Sequence, residues 1–132
     1  MPDVETLAGR CACGCITFRA RGPFREGVAC HCETCRRQSG HYIVATAAAL
    51  EKLDVTGAED LTWYGASPHA RRGFCRKCGS LLFWEPENRS HVSIMMGAVD
   101  DPGDIRLSRH IFVGEKGAYY EIGDGLPEHG KG

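Results

Sequence analysis

The sequence predicts an all-β domain, mainly β with one or two short helical turns, and three observations predict it. Short segments alternate apolar and polar residues with period two, the pattern of half-buried strands. No segment keeps helical spacing through three turns. The 17 Gly and 6 Pro among 132 residues supply turn formers between the alternating segments. The length suits a single domain, 1–132, able to bury ~65–70% of its unfolded surface. With 42% hydrophobic and 25% charged residues, a disordered or collagen-like chain is excluded.

Taken in order, Ile16 to Ala20 alternates as a strand. Glu33 to Ser39 reads as the short helix, ended by Gly40, a residue suited to the left-handed C-terminal position. Tyr42 to Ala47 reads as a strand, although its Ala-rich end leaves a helix open. Leu61 to Tyr64, Ser80 to Trp84 and Arg109 to Val113 are aromatic and aliphatic runs bounded by Gly, Pro or Asp, and read as strands. His91 to Met96 places Val92, Ile94 and Met96 on one face. Asp100 to Asp104 is a turn, and residues 123–132 are expected to form an irregular tail that frays. Trp63, Trp84, Phe83 and Met96 read as core.

A formal net charge of -1 gives no basic field for nucleic acid or an anionic membrane, so neither is expected as a partner. The longest apolar-looking run, Tyr42 to Leu50, is far short of the ~20 residues a membrane-spanning helix needs, so a soluble protein is expected. Met1 to Arg10 has no basic stretch followed by an apolar one, so no secretory signal is expected. The expected compartment is cytoplasmic, where structural disulfides are rare. Eight cysteines there point to metal or redox chemistry.

The cysteines fall into groups that differ in kind. Cys11 and Cys13, two apart on an extended segment, project from one face. Cys75 and Cys78 bracket a tight turn, with Gly79 free to take a positive φ. Two such pairs supply the four thiolates of a closed tetrahedral structural zinc. Such sites contribute ~10–16 kcal/mol of apparent binding, against ~5–15 for a whole domain. Cys30, Cys32 and Cys35 offer only three thiolates, which leaves a coordination position for water or substrate, as catalysis requires. Cys15 reads as a small packing hydrophobe, with a fourth ligand for the trio as the alternative. The bland reading of the trio is a second structural zinc completed by Cys15 or a histidine. His31, between two ligands, is expected to point away from the metal. His41 and Tyr42 could approach the open position or play surface roles, and His69 and His110 are weaker candidates. Arg36, Arg37, Arg71, Arg72, Arg76 and Lys77 flank the clusters and could offset thiolates and bind substrate carboxylates, or form a solvated basic face.

Three ordered motifs resemble the glutathione-dependent formaldehyde-activating family: Cys11-Ala12-Cys13-Gly14, then Cys30-His31-Cys32-Glu33-Thr34-Cys35-Arg36-Arg37, then Phe74-Cys75-Arg76-Lys77-Cys78-Gly79. His110 to Val113 and Ile122 to Pro127 are similar to the family's end, so the resemblance runs from Gly9 to Pro127. Cys15 departs from the small apolar residue usual there. The resemblance implies an all-β, zinc-pinned, β-tent-like single domain shared with the centromere-protein-V group. It implies two Zn²⁺: a structural ion on Cys11, Cys13, Cys75 and Cys78, and a catalytic ion on Cys30, Cys32 and Cys35. It further implies a carbon–sulfur lyase that condenses formaldehyde with glutathione, a low-molecular-weight thiol partner. Two other readings stand beside this one: a non-catalytic zinc module for protein interaction, and a zinc–thiolate redox sensor whose oxidised trio ejects metal.

Overall fold

The computed structural model describes residues 1–132. Ten strands follow one another along the chain: β1 (Thr6–Arg10), β2 (Thr17–Arg21), β3 (Gly27–Cys30), β4 (Ile43–Ala48), β5 (Leu53–Thr56), β6 (Leu61–Ser67), β7 (Ala70–Cys75), β8 (Leu81–Pro86), β9 (Val92–Met95) and β10 (Leu107–Ile111). The α-helix α1 (Glu33–Ser39) lies between β3 and β4, and single 3-10 turns fill several connections. The all-β expectation holds, and no helix is long and apolar enough to cross a membrane.

Two sheets form. β1, β2 and β5 make a small antiparallel sheet in that order, and the larger sheet runs β10-β3-β4-β9-β8-β7-β6. The β10–β3 pair is parallel, and the other neighbours in the large sheet are antiparallel. Period two sets the packing. On β2, Phe18 and Ala20 are buried while Thr17, Arg19 and Arg21 are exposed. The inward face of this sheet, with Leu7 and Phe18, meets Leu82, Phe83, Val92 and Ile94 of the large sheet in one core. Phe18 and Phe83 stand edge to face, with centroids 5.3 Å apart and planes at 73°.

Every strand read from the sequence has a counterpart in the structure. Tyr42–Ala47 resolves as β4, paired with β3 on one side and β9 on the other. The helix ends as expected, Gly40 taking φ 90° and donating its N–H to Arg36 O at 2.9 Å. Four strands had no signal. In β3, Gly27, Val28 and Ala29 are all buried, so no alternation marks it. In β1 and β5 the runs are short, and β7 is opened by tandem arginines that read as a solvated face. Residues 123–132 form no helix or extended strand, and backbone hydrogen bonds tie them to β10. Pro127 O accepts from His110 N–H, and His129 N–H donates to His110 O, each at 2.9 Å.

Gly9 shows how closely the small sheet approaches its neighbours. A Cβ there would stand 2.2 Å from the Ala98 carbonyl oxygen and 2.4 Å from Phe18 Cζ. Gly9→Ala must therefore push backbone apart, and we expect a loss of about 1–3 kcal/mol, read as a lower midpoint in chemical denaturation of the metal-loaded protein.

Candidate metal centres and the cavity between them

β1 delivers Cys11 into a tight turn rather than an extended pair. Gly14 N–H donates to Cys11 O at 3.1 Å, and Gly14 takes φ 81°. The expectation that Cys11 and Cys13 share one face of a strand is therefore corrected: the turn folds their sulfurs together, 3.7 Å apart. Across the core, β7 ends at Cys75, and Gly79 closes the next turn with φ 79° and its N–H on Cys75 O at 2.8 Å. Lys77 and Cys78 N–H groups point at Cys75 Sγ, at 3.4 and 3.5 Å. The sulfurs of Cys11, Cys13, Cys75 and Cys78 all lie within 4.8 Å of one another. A zinc–sulfur distance of ~2.3 Å implies tetrahedral sulfur–sulfur edges of ~3.8 Å. The Cys11–Cys13 and Cys13–Cys75 separations, 3.7 and 3.9 Å, match that edge. Bonds from Ser80, side chain and backbone, hold the Cys78 thiol down to about 5. The donor set fits zinc.

Cys15 belongs beside this group, not beside the trio. Its sulfur is 3.2 Å from Cys13, 3.4 Å from Cys75 and 3.9 Å from Cys11. The alternative that made it the trio's fourth ligand is overturned by position. It is half-buried and packs on the core, as a small hydrophobe does. Hydrogen bonds with the neighbouring sulfurs, Cys13 first, push its own thiol up.

The trio forms where β3 meets α1. Cys30 ends β3, Cys32 is the N-cap of α1, and Cys35 sits in its first turn, donating its N–H to Cys32 Sγ at 3.3 Å. The three sulfurs lie within 4.8 Å of one another, with Cys32 and Cys35 3.0 Å apart. Hydrogen bonds from Cys30 and Cys35 push the Cys32 thiol down to about 2, and hydrogen bonds with Cys32 and Cys35, then burial, push the Cys30 thiol up. Arg72, only 8% exposed, brings Nη1 to 3.3 Å from Cys35 Sγ and Nη2 to 3.9 Å from Cys32 Sγ. The other cations that flank the clusters in sequence are turned elsewhere. Arg71 pairs with Glu85 at 2.7 Å, Arg76 and Lys77 with Asp60, Arg37 with Glu33, and Arg36 donates to Glu115 O.

His31 is buried and leaves the trio on the opposite side from its neighbours, as alternation along the chain requires. A hydrogen-bonded row runs through it. Tyr120 Oη bonds His31 Nδ1, His31 Nε2 meets His110 Nδ1 at 2.8 Å, and His110 Nε2 meets Asp124 Oδ2 at 2.8 Å. One consistent assignment has each group donating toward Asp124, with both imidazoles neutral. Burial, then the neighbouring imidazole of His110, holds His31 down to about 4. Tyr42 packs against His31 at a tilt of 31°, with centroids 4.4 Å apart, and exposed His41 bonds Tyr119 Oη at 2.6 Å. These groups brace the trio's loop from behind.

In front of the trio lies a cavity of about 520 Å³, within the range of small-molecule sites. Val28 and Cys30, Ala70 and Arg72, and Arg109 and Ile111 line it. Each pair is two residues apart on one strand, so the cavity occupies a single face of the large sheet. Trp84, read as core, is half-buried and lines this cavity. His69 and His91 are the imidazoles that line it, whereas His31, His41, Tyr42 and His110 do not. Sequence reasoning passed over Arg25 and Arg109, which line the same space. Arg109 carried a legible signal, two positions before Ile111 on a predicted strand. Arg25 carried none.

The model of the glutathione-dependent formaldehyde-activating enzyme family matches residues 6–115. An uncharacterized lyase of Schizosaccharomyces pombe is 33% identical over 88 residues, 67% of this chain and 61% of the relative. The chain thus matches about three-fifths of that relative's length. A crystal structure of a Rhodobacter sphaeroides protein is similar with a TM-score of 0.62 and 26% identity, covering 76% of this chain and 99% of that one.

Because Cys15 lies as close to Cys11, Cys13 and Cys75 as these lie to one another, two four-sulfur sets overlap. Cys78→Ser is expected to keep its full metal content through Cys15, while Cys15→Ala combined with Cys78→Ser loses one equivalent. Elemental analysis of the purified variants reads the difference.

Proposed function

The chain belongs to the glutathione-dependent formaldehyde-activating family, and from that premise we propose a zinc-dependent carbon–sulfur lyase. Cys11, Cys13, Cys75 and Cys78 hold one zinc as a structural pin. Cys30, Cys32 and Cys35 hold the second as the catalytic residues. The substrate is a low-molecular-weight thiol of the glutathione kind, which adds to a small aldehyde such as formaldehyde, or whose adduct is cleaved. The expected compartment is the cytoplasm. The lyase name of the yeast relative supports the reaction class.

One observation carries the reading: the two sulfur groups differ in completeness. One set has four sulfurs in mutual reach, with a fifth alongside. The other has three, and these line a cavity. A three-cysteine zinc keeps a position open and, when bound, lowers the pKa of a thiol that takes it, presenting the nucleophilic thiolate. The chain's own residues do the rest. Arg72 offsets the negative charge that gathers on the trio, and its burial strengthens that attraction by excluding water. Val28, Ile43 and Ala45 give the cavity an apolar wall against which a substrate is desolvated. His91, half-buried with Nδ1 3.0 Å from Ser90 Oγ, and exposed His69 are positioned to exchange a proton with bulk water at the rim. The row from Tyr120 to Asp124 holds the loop of Cys30 and Cys32 in place without touching the substrate.

Titrating glutathione into Co²⁺-substituted protein should shift the ligand-field bands of one of the two ions, and unchanged bands would reject thiol coordination. Cys32→Ser is expected to lower zinc content from two equivalents to one while the circular dichroism spectrum stays native. Collapse of the whole domain would instead favour a purely structural role for both ions.

A further inference from the structure

The residues lining the cavity include Arg25, Arg72 and Arg109 and no Asp or Glu. Arg72 is matched by the trio's sulfurs. The other two are not matched by any acid. Arg25 donates only to backbone carbonyls, Nη2 to Ala45 O at 3.1 Å and Nε to Glu26 O at 3.4 Å. Arg109 makes no side-chain hydrogen bond and no salt bridge. Burial, then the charge of Arg109, pulls Arg25 down from its usual range, so the two guanidiniums feel each other across a partly desolvated space. Like charges facing a cavity without a counter-ion are costly unless a ligand supplies one.

Strand register fixes where they stand. Arg109 pairs with Val28, and Ile111 with Cys30. Val28 pairs with Ala45, whose carbonyl holds Arg25, and Cys30 pairs with Ile43. The Arg109 backbone and the Ala45 carbonyl that holds the Arg25 guanidinium therefore lie two residues along the strands from the level of Cys30, ~6.6 Å at ~3.3 Å per residue. Val28, Ala45 and Ile43 lie between as apolar wall.

Building on the thiol chemistry proposed above, we infer that Arg25 and Arg109 form an anion subsite that takes the carboxylate of a compact mercaptocarboxylate while its sulfur meets the trio. The planar, forked guanidiniums suit a carboxylate, and the spacing selects ligands with a few bonds between sulfur and acid. An uncharged aldehyde has no use for such a subsite, so it reads the thiol.

The experiment compares 3-mercaptopropionate with its isosteric amide, 3-mercaptopropionamide, on intact Co²⁺-substituted protein. Binding is followed both by calorimetry and by the cobalt bands. The acid is expected to bind about 10- to 100-fold more tightly than the amide, the worth of a charge-assisted hydrogen bond. That preference should fall to within about threefold in Arg109→Gln and in Arg25→Gln, and persist in Arg109→Lys at reduced size. Equal binding of acid and amide to the unaltered protein, with the bands responding to both, overturns the anion subsite and leaves the thiol–metal reading standing. Calorimetric preference for the acid with silent bands supports the subsite and sinks the thiol–metal reading. No heat and no spectral change with either probe overturns the subsite as well.

Discussion

Sulfur brought together across the sheet boundary is the constraint on which the rest depends. Cys11 and Cys13 leave the small sheet, Cys75 and Cys78 leave the large one, and their sulfurs converge within 4.8 Å. This clasp sits over an apolar core that already includes Cys11 and Cys75 as fully buried members. Packing and sulfur geometry therefore enforce the same approach. Phe18 against Phe83 and the missing side chain of Gly9 let the sheets come close, and that closeness lets the thiols meet.

β7 couples this clasp to the second sulfur group. Cys75, at its end, belongs to the clasp, and Arg72, three positions earlier, reaches across to Cys35 and Cys32. A buried guanidinium against sulfur is favourable only while the sulfurs are anionic, since a neutral trio would leave the cation without a partner. The charge state of the trio is thus written into the framework, and not left to the loop alone. Behind the trio, His31, His110, Tyr120 and Asp124 satisfy one another's hydrogen bonds in a region that a mobile loop could not offer. The chain's last residues, irregular as they are, supply Asp124 and backbone bonds to β10, so they belong to the support of the site.

The two faces of the large sheet divide the labour. One carries the histidine row, the other the cavity with its arginines, and strand alternation does the sorting. Cys30 and Cys32 face the cavity while His31 between them does not. A histidine inside a cysteine motif is readily taken for an acid–base group, and here its neighbours show it to be a brace.

From residue order alone came the all-β class, the short helix ended by Gly40, the turn at Gly79, and the division of seven cysteines into two pairs and a trio. These are local matters, decided by period-two alternation, by the glycine's tolerance of positive φ, and by spacings of two or three residues that keep sulfurs in reach. The strand Gly27–Cys30 stayed hidden because a strand buried on both faces has no alternation to read. Tertiary structure alone decided that Cys15 stands with the four and not the three, that Arg72 serves the distant trio rather than the cysteines next to it, and that Arg25 and Arg109 share one cavity. The reason is common to all of them: each depends on which strand lies beside which. Pairings such as β10 with β3 and β4 with β9 join segments many residues apart, which no local pattern encodes.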